Sequence, residues 1–287
     1  MKNRCALLII SCFLIYFTGC EGFDEDRIET PFSQYWQAPM EYDDSGAKKS
    51  LHVAAVSLKI DPSPEVNRSK IVAFIDKIKS EQPNVRLILF SETTLGYYYR
   101  SSNSAEYIQS IAETVPGETT DILAVKAKEH QIYISFGIAE KAGGDLYNSQ
   151  VLIAPDGGIA SVYHKNYFTS WDKEIGYKAG RDITLNIIDN IKVATIICHD
   201  LDSIEVNKKI HKSGAELVLH SLADPFNPFS ELKPHQYTYT WVLSANRDGS
   251  EDGNDYTGLL SLTTPSGEHR ARQAGKEGYI HGVVKCW

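Results

Sequence analysis

Val193-Ala194-Thr195-Ile196-Ile197-Cys198-His199-Asp200 is the stretch around which the chain is organised. The residues before the cysteine are apolar or β-branched, a run that predicts a strand buried on both faces. Cys198 falls where that strand runs out and polar residues begin. A thiol placed there is held rigidly and still opens onto a turn that a substrate can reach. A lone cysteine in an apolar run is most often a small core residue. Two charged residues that end other strands argue for more here.

Leu87-Ile88-Leu89-Phe90 is a second buried-strand run and ends in Ser91-Glu92. Ile159-Ala160-Ser161-Val162-Tyr163 alternates as a strand and ends in His164-Lys165. Singly, Glu92 and Lys165 would pass as surface charges. Active sites gather at strand ends along one edge of an open α/β sheet. With Cys198, the two residues supply a base, a cation and a nucleophile, a full set for acyl transfer.

Outward from these three points, strands and helices alternate. Strands are predicted at 52–60, 85–90, 132–138, 148–154, 183–188, 191–197, 216–220, 242–246 and 278–284. Helices are predicted at 64–80, 120–130, 203–213 and 231–241. Ser63 is the expected N-cap of the first helix and Pro64 its first residue; Ile71, Phe74, Ile75 and Ile78 share one of its faces. Pro155-Asp156-Gly157-Gly158, Asp189-Asn190 and Pro265-Ser266-Gly267 mark turns. The pattern is α/β with layered sheets. There is no repeat of fixed period, no Gly-rich phosphate loop and no metal-ligand spacing.

From residue 51 to 287 the chain resembles the nitrilase-like carbon–nitrogen hydrolases, whose triad is Glu-Lys-Cys. The resemblance is carried by His52-Val53-Ala54-Ala55-Val56, Phe90-Ser91-Glu92, Leu146-Tyr147-Asn148-Ser149, Pro155-Asp156-Gly157-Gly158 with Tyr163-His164-Lys165, Ile197-Cys198-His199-Asp200 and Ala245-Asn246-Arg247. Their order and spacing are specific together, though none is alone. The family implies a four-layer α-β-β-α sandwich, a homodimer at least, and no cofactor. Some members carry a second glutamate that orients the lysine and the substrate; Glu140, at the end of its strand, is the candidate, with an exposed strand-end acid as the alternative. Two departures bear on the substrate. His199-Asp200 replaces the usual aromatic-acidic pair, and Asp202-Ser203-Ile204 stands where Phe-Pro-Glu commonly follows.

In chemical terms, Glu92 takes the thiol proton of Cys198 as the bond to carbon forms. Lys165 and the backbone N–H of His199 support the oxyanion. A thioester forms on Cys198, and water activated by Glu92 releases the acid. Tyr147 and Asn148 are read as structural, with Asn148 bonding a turn. The side chain of His199 is read as solvating its turn, with lining the pocket as the alternative. Tyr97-Tyr98-Tyr99 is read as packing beside the site, with an aromatic wall as the alternative. The specificity loops are placed at 97–105, 166–182 and 222–235.

Lys2 and Arg4 precede an apolar run from Ala6 to Phe17. Twelve helical residues span roughly 18 Å against about 30 Å of bilayer core, so the run reads as a signal peptide over 1–19. Phe17-Thr18-Gly19-Cys20 resembles a bacterial lipoprotein signal, with Cys20 lipidated as the new N-terminus. Residues 20–50 are mostly polar and acidic and read as a tether. The expected location is therefore the bacterial cell envelope, facing the periplasm or on the outer membrane, with the lipid on Cys20 as the membrane contact. Loss of Lys2 and Arg4 takes the formal charge from −8 to −10, which argues against nucleic acid as a partner. Cys5 and Cys12 leave with the signal, and Cys198 and Cys286 remain, too few for a disulfide scaffold.

Three functions are consistent with this reading. The first is hydrolysis of a non-peptide carbon–nitrogen bond in a small-molecule linear amide, or less readily a nitrile. The second is N-acyl transfer through the same thioester. The third is a catalytically inactive lipoprotein that binds a ligand. An intact Glu92, Lys165 and Cys198 argue against the last.

Overall fold

Period-two burial along the apolar runs builds two six-stranded sheets. The computed structural model describes residues 41–225 and 240–287. The expected signal segment, Cys20 and the tether up to residue 40 lie outside the described residues, as does 231–239 of the fourth expected helix.

The first half of the chain contributes β1 (Lys49–Ser57), α1 (Pro64–Glu81), β2 (Leu87–Leu89), α2 (Ser104–Ile111), α3 (Glu118–His130), β3 (Tyr133–Ala142), β4 (Asp145–Ile153) and β5 (Ile159–His164). The second half contributes α4 (Ser170–Ile175), β6 (Leu185–Ile188), β7 (Ile191–Ile197), a 3-10 turn (Cys198–Asp202), α5 (Ile204–Ser213), β8 (Leu217–Ser221) and β9 (Trp241–Ala245). It closes with β10 (Asp248–Glu251), β11 (Asn254–Thr257), β12 (Leu260–Thr263), β13 (His269–Gln273) and β14 (Gly278–Cys286). One sheet has the order β14-β1-β2-β3-β4-β5 and the other β13-β12-β9-β8-β7-β6. Each carries a parallel trio, β1-β2-β3 and β7-β8-β9, flanked by antiparallel strands.

Alternation along β1 shows how the layers arise. Val53 and Ala55 face the second sheet, where they meet Val193, Leu219 and Leu243 in one core. Ala54 and Val56 face outward to α1 and α3, packing with Ile71, Ile75, Ile78, Leu123 and Ala127. On the far side, Ala194, Ile196, Val218 and Val242 pack on Val206 and Ile210 of α5. Helix, sheet, sheet, helix is the four-layer sandwich. Removing a side chain as large as Ile75 from such a core costs about 2–5 kcal/mol.

Several boundaries differ from the expectation. β1 begins at Lys49, so Lys49 and Ser50, at the end of the segment read as tether, pair with β14. Upstream, Tyr42 stacks edge-on against Trp241 at 5.4 Å and donates to the carbonyl of Lys285. Trp241 itself opens β9 rather than ending a helix: it and its partner in register, Leu217, lie in the inter-sheet core with Leu243 of the same strand, and burial decides over local pattern. The pattern predicts neither α2 and α4, which are only eight and six residues long, nor the β10–β11 hairpin, which is set in polar, Gly-rich sequence. Ser63 is the N-cap of α1 with Pro64 following, but its hydroxyl donates to Glu65 instead of accepting from the backbone. No helix among the described residues is long and apolar enough to cross a membrane.

Candidate active site

Glu92, Lys165 and Cys198 meet at the C-terminal ends of the parallel trios. Glu92 follows β2, Cys198 follows β7, and the turn after β5 brings in Lys165. The two sheets are joined here by the N–H of Glu92, which donates to the carbonyl of Leu222. The turn that carries Glu92 lies against Gly137 of β3. A Cβ there would stand 2.5 Å from the nitrogen of Thr93 and 2.8 Å from the Cα of Glu92, so only glycine lets the base approach.

The charged centre is fully buried. Lys165 Nζ lies 3.0 Å from Glu92 Oε1 and 2.8 Å from Asp172 Oδ2. Burial opposes its charge, but Asp172 and then Glu92 outweigh it and hold the ammonium well above its ordinary pKa. Burial likewise opposes the charge on Asp172, yet Lys165 keeps that carboxyl below its ordinary value. Glu92 Oε1 also accepts from Asn148 Nδ2 at 2.7 Å. Its other oxygen, Oε2, is buried with no protein partner. One carboxylate oxygen is thus tied down by two donors and the other by none.

Cys198 opens the 3-10 turn with a left-handed backbone, φ 46°. For a non-glycine residue that conformation is strained and persists only where its surroundings hold it. Burial pushes the thiol well above its ordinary pKa; Glu92, Asp224 and Asp172 add to this, and Lys165 opposes it. The resting group is a thiol rather than a thiolate.

Asp200 fastens the lysine turn to the cysteine turn. Its carboxylate accepts from Tyr163 Oη at 2.7 Å and from the N–H groups of Ile197, Asn166 and Tyr167. Burial nevertheless raises it to about 6. Arg247, from the Ala-Asn-Arg motif, donates to the carbonyls of Glu92 at 2.8 Å and Thr93, and pairs with Glu251. It thereby holds the turn that carries Glu92.

The expectations for other residues change. Glu140 does not orient the lysine. It accepts from Ser149 Oγ at 2.6 Å and lies 2.8 Å from His164 Nε2, because the alternation of β3 directs it to β4 and β5. Its carboxyl stays below its ordinary value, burial being outweighed by those two bonds. Asp172 fills the place expected of Glu140. The visible signal was Thr169-x-x-Asp172, a helix start in which each side chain caps the other's backbone. Nothing in that motif marks its carboxylate as the lysine's partner. Asn148 bonds the base and Asp172 rather than a turn. Tyr98 donates to Asp172 at 2.8 Å and stands beside Lys165, so it belongs to the centre. His199 turns its side chain to Asp202 and stacks on Tyr167, as expected of a residue that serves its turn.

Described residues from each of the three expected loops come together. Tyr98 and Tyr99, Trp171 and Ala223 form one cluster with Tyr256; residues 226–235 of the third loop lie outside those described. Away from the site, Asp76, Glu129 and His130 bring metal-type ligand atoms together. Lys126 bonds Asp76 at 2.8 Å and Glu129 at 2.9 Å, and so already supplies a cation to that group.

The chain is similar to known proteins over most of its length. The carbon-nitrogen hydrolase family profile matches residues 52–250. An (R)-stereoselective amidase from Pseudomonas sp is 27% identical over 204 residues, covering 69% of this chain and 72% of the amidase. A nitrilase from Pyrococcus abyssi is 30% identical, covering 71% of this chain and 78% of the nitrilase. A Bacillus cereus formamidase is 32% identical over 58% of this chain, and the match spans about half, 49%, of the formamidase. Among solved structures, a carbon-nitrogen hydrolase from Helicobacter pylori superposes with a TM-score of 0.71 at 18% identity, covering 82% of this chain and 89% of that one. At that identity the superposition speaks for the fold.

Proposed function

The chain belongs to the carbon–nitrogen hydrolase family, and on that footing we propose that it hydrolyses a small linear amide through a thioester on Cys198. The observation that carries the reading is the division of labour at Glu92. Oε1 is held by Lys165 and Asn148 while Oε2 is buried and unpartnered. A carboxylate oriented in this way is a proton carrier with one working oxygen.

The steps follow from that arrangement. Glu92 Oε2 takes the proton of the Cys198 thiol as sulfur attacks the amide carbon. The carbonyl oxygen becomes an oxyanion, supported by Lys165 Nζ and by the N–H of His199. That N–H lies in the first turn of a 3-10 helix, where backbone donors have no partner within the helix. Protonated Glu92 gives its proton to the amine, the carbon–nitrogen bond breaks, and the thioester remains. Water then attacks the thioester and Glu92 takes its proton. The carbon–sulfur bond breaks, the acid leaves, and the thiolate recovers the proton. Atoms and charge balance without a metal or an organic cofactor.

We place the protein in the bacterial cell envelope, anchored through lipid on Cys20, and pair it as a homodimer. The anchor rests on the sequence around Cys20, and the dimer on resemblance to the family. Light scattering that finds a monomer at tens of micromolar would remove the dimer.

The deciding experiment records intact mass and released ammonia while the full chain meets a panel of small amides and nitriles. Wild-type protein gains an acyl group transiently; Cys198→Ala gains none. Added free amine separates hydrolysis, which yields the acid, from N-acyl transfer, which yields a new amide. A protein that forms no adduct across the panel, and whose Cys198 is alkylated no faster than the buried Cys286, is a binding protein and not an enzyme.

A further inference from the structure

β8 runs between β7 and β9, and one row of its register holds Ile196, His220 and Ser244. His220 is buried, 3% exposed. Its Nε2 lies 3.2 Å from the carbonyl oxygen of Cys198, and its Nδ1 lies 3.4 Å from Ser244 Oγ. A carbonyl only accepts, so Nε2 carries the proton. In a neutral ring Nδ1 then accepts, and the Ser244 hydroxyl donates to it. Burial lowers the imidazole to about 4, in keeping with the neutral form.

The carbonyl of Cys198 and the N–H of His199 belong to one planar peptide group. A donor on the oxygen side fixes the orientation of that plane. It also draws charge toward oxygen and makes the N–H on the other side a stronger donor, as in any chain of hydrogen bonds. The same bond holds the residue whose backbone is left-handed.

We propose that His220 is a positioning residue that orients and polarises the Cys198–His199 peptide, and so sets the strength of the His199 N–H as an oxyanion donor. The inference rests on the acyl-transfer reading of the site. The relay is Ser244 O–H to His220 Nδ1, then His220 Nε2–H to Cys198 C=O, then the His199 N–H to the oxyanion. His220 itself touches no reacting atom.

The test compares wild type with His220→Gln and His220→Met in the full chain. Gln presents an amide donor near the place of Nε2; Met fills similar volume and donates nothing. Three quantities are read: kcat and KM for an amide that wild type turns over, affinity for the matching aldehyde, and the rate at which iodoacetamide alkylates Cys198. The aldehyde adds to the thiol and develops an oxyanion; alkylation develops none. His220→Met is expected to lose about 10–100-fold in kcat, somewhat less than deletion of an oxyanion donor. KM and alkylation rate should stay within about threefold, while aldehyde affinity falls with kcat. His220→Gln should recover most of the loss. The proposal is overturned if Met keeps kcat within about twofold, if Gln falls as far as Met, or if alkylation falls as far as turnover. A wild-type chain that neither cleaves an amide nor binds an aldehyde overturns the acyl-transfer reading itself, and this inference with it.

Discussion

Glu92 Oε1 stands 3.0 Å from Lys165 Nζ, with both side chains fully buried. Lys165 has a second carboxylate, Asp172, at 2.8 Å. The two acids therefore divide their work. Asp172 neutralises the lysine and caps α4, and Glu92 keeps one oxygen free. A single carboxylate paired with Lys165 would be held by the ammonium and make a poorer base.

Glu92→Gln keeps the shape of the turn and an acceptor for Lys165 but removes the base. It is expected to lower kcat by about 10²–10⁴ and to slow both thioester formation and its hydrolysis. Because the two groups act as a unit, Glu92→Gln combined with Cys198→Ala should be hardly worse than Cys198→Ala alone. Single-turnover kinetics of adduct formation and decay check this. A variant in which only one of the two steps slows would assign the other to a different base.

Asp172→Asn leaves Lys165 with one carboxylate in a buried setting. Removing one partner of such a pair costs about 3–5 kcal/mol where no other remains, so about 2–4 kcal/mol is expected here. Asp172 is also the larger charge support of Lys165, so the lysine pKa should fall in the variant. The alkaline limb of the pH–rate profile should then move to lower pH, because the charged lysine is the active form. Urea unfolding and the pH profile of kcat/KM read the two effects separately. An unmoved alkaline limb would mean that Asp172 serves only the helix start.

Glu92, Lys165 and Cys198 stand out in the sequence because each follows an apolar run, and a run's end is visible one residue at a time. The layered sheets were legible for the same reason: Val53 and Ala55 alternate with Ala54 and Val56, and period two needs no partner to be seen. What holds the centre was not legible. Asp172 lies seven residues from Lys165 inside a helix cap, and its carboxylate meets the lysine only because α4 folds back over the site. The pairing of His220 with Cys198 joins neighbouring strands whose alignment the sequence does not state. Glu140 is not a strand end, because β3 runs on to Ala142. Its side chain points along the sheet to Ser149 and His164 instead.

Cys20→Ser tests the anchor. Firm membrane attachment by acyl chains needs two or more of them, and a lipidated cysteine is the one source of them proposed for this chain. The variant should appear in the soluble fraction, folded and as active as wild type, since it keeps Glu92, Lys165 and Cys198 and loses only the lipid. Fractionation with an activity assay checks it. A variant that stays with the membrane pellet would refute the lipid on Cys20.

The last expectation concerns pH and His220. In the folded protein the imidazole titrates near 4; unfolded, it returns to its ordinary 6.5. Burial is the first cause of the lowering; the bond to the Cys198 carbonyl and the charge of Asp202 act the other way, while Lys165 adds to it. Between those two values the unfolded chain binds the proton and the folded chain does not. Stability from this group is therefore complete above about pH 6.5 and is lost as pH falls toward 4, by about 2 kcal/mol at pH 5 and about 3 kcal/mol in all. Asp200 works in the opposite direction. Its folded value is raised to about 6, so its contribution falls as pH rises from 3.8 toward 6. The two partly cancel in wild type, and the raw profile hides both. Subtracting the unfolding free energy of His220→Gln from that of wild type at each pH removes Asp200 and isolates the histidine. That difference should shrink by about 3 kcal/mol between pH 7 and pH 4. A difference that stays flat would mean that His220 binds its proton as readily in the folded as in the unfolded chain; below about pH 6.5 its ring would then be charged and would donate from Nδ1 rather than accept from Ser244.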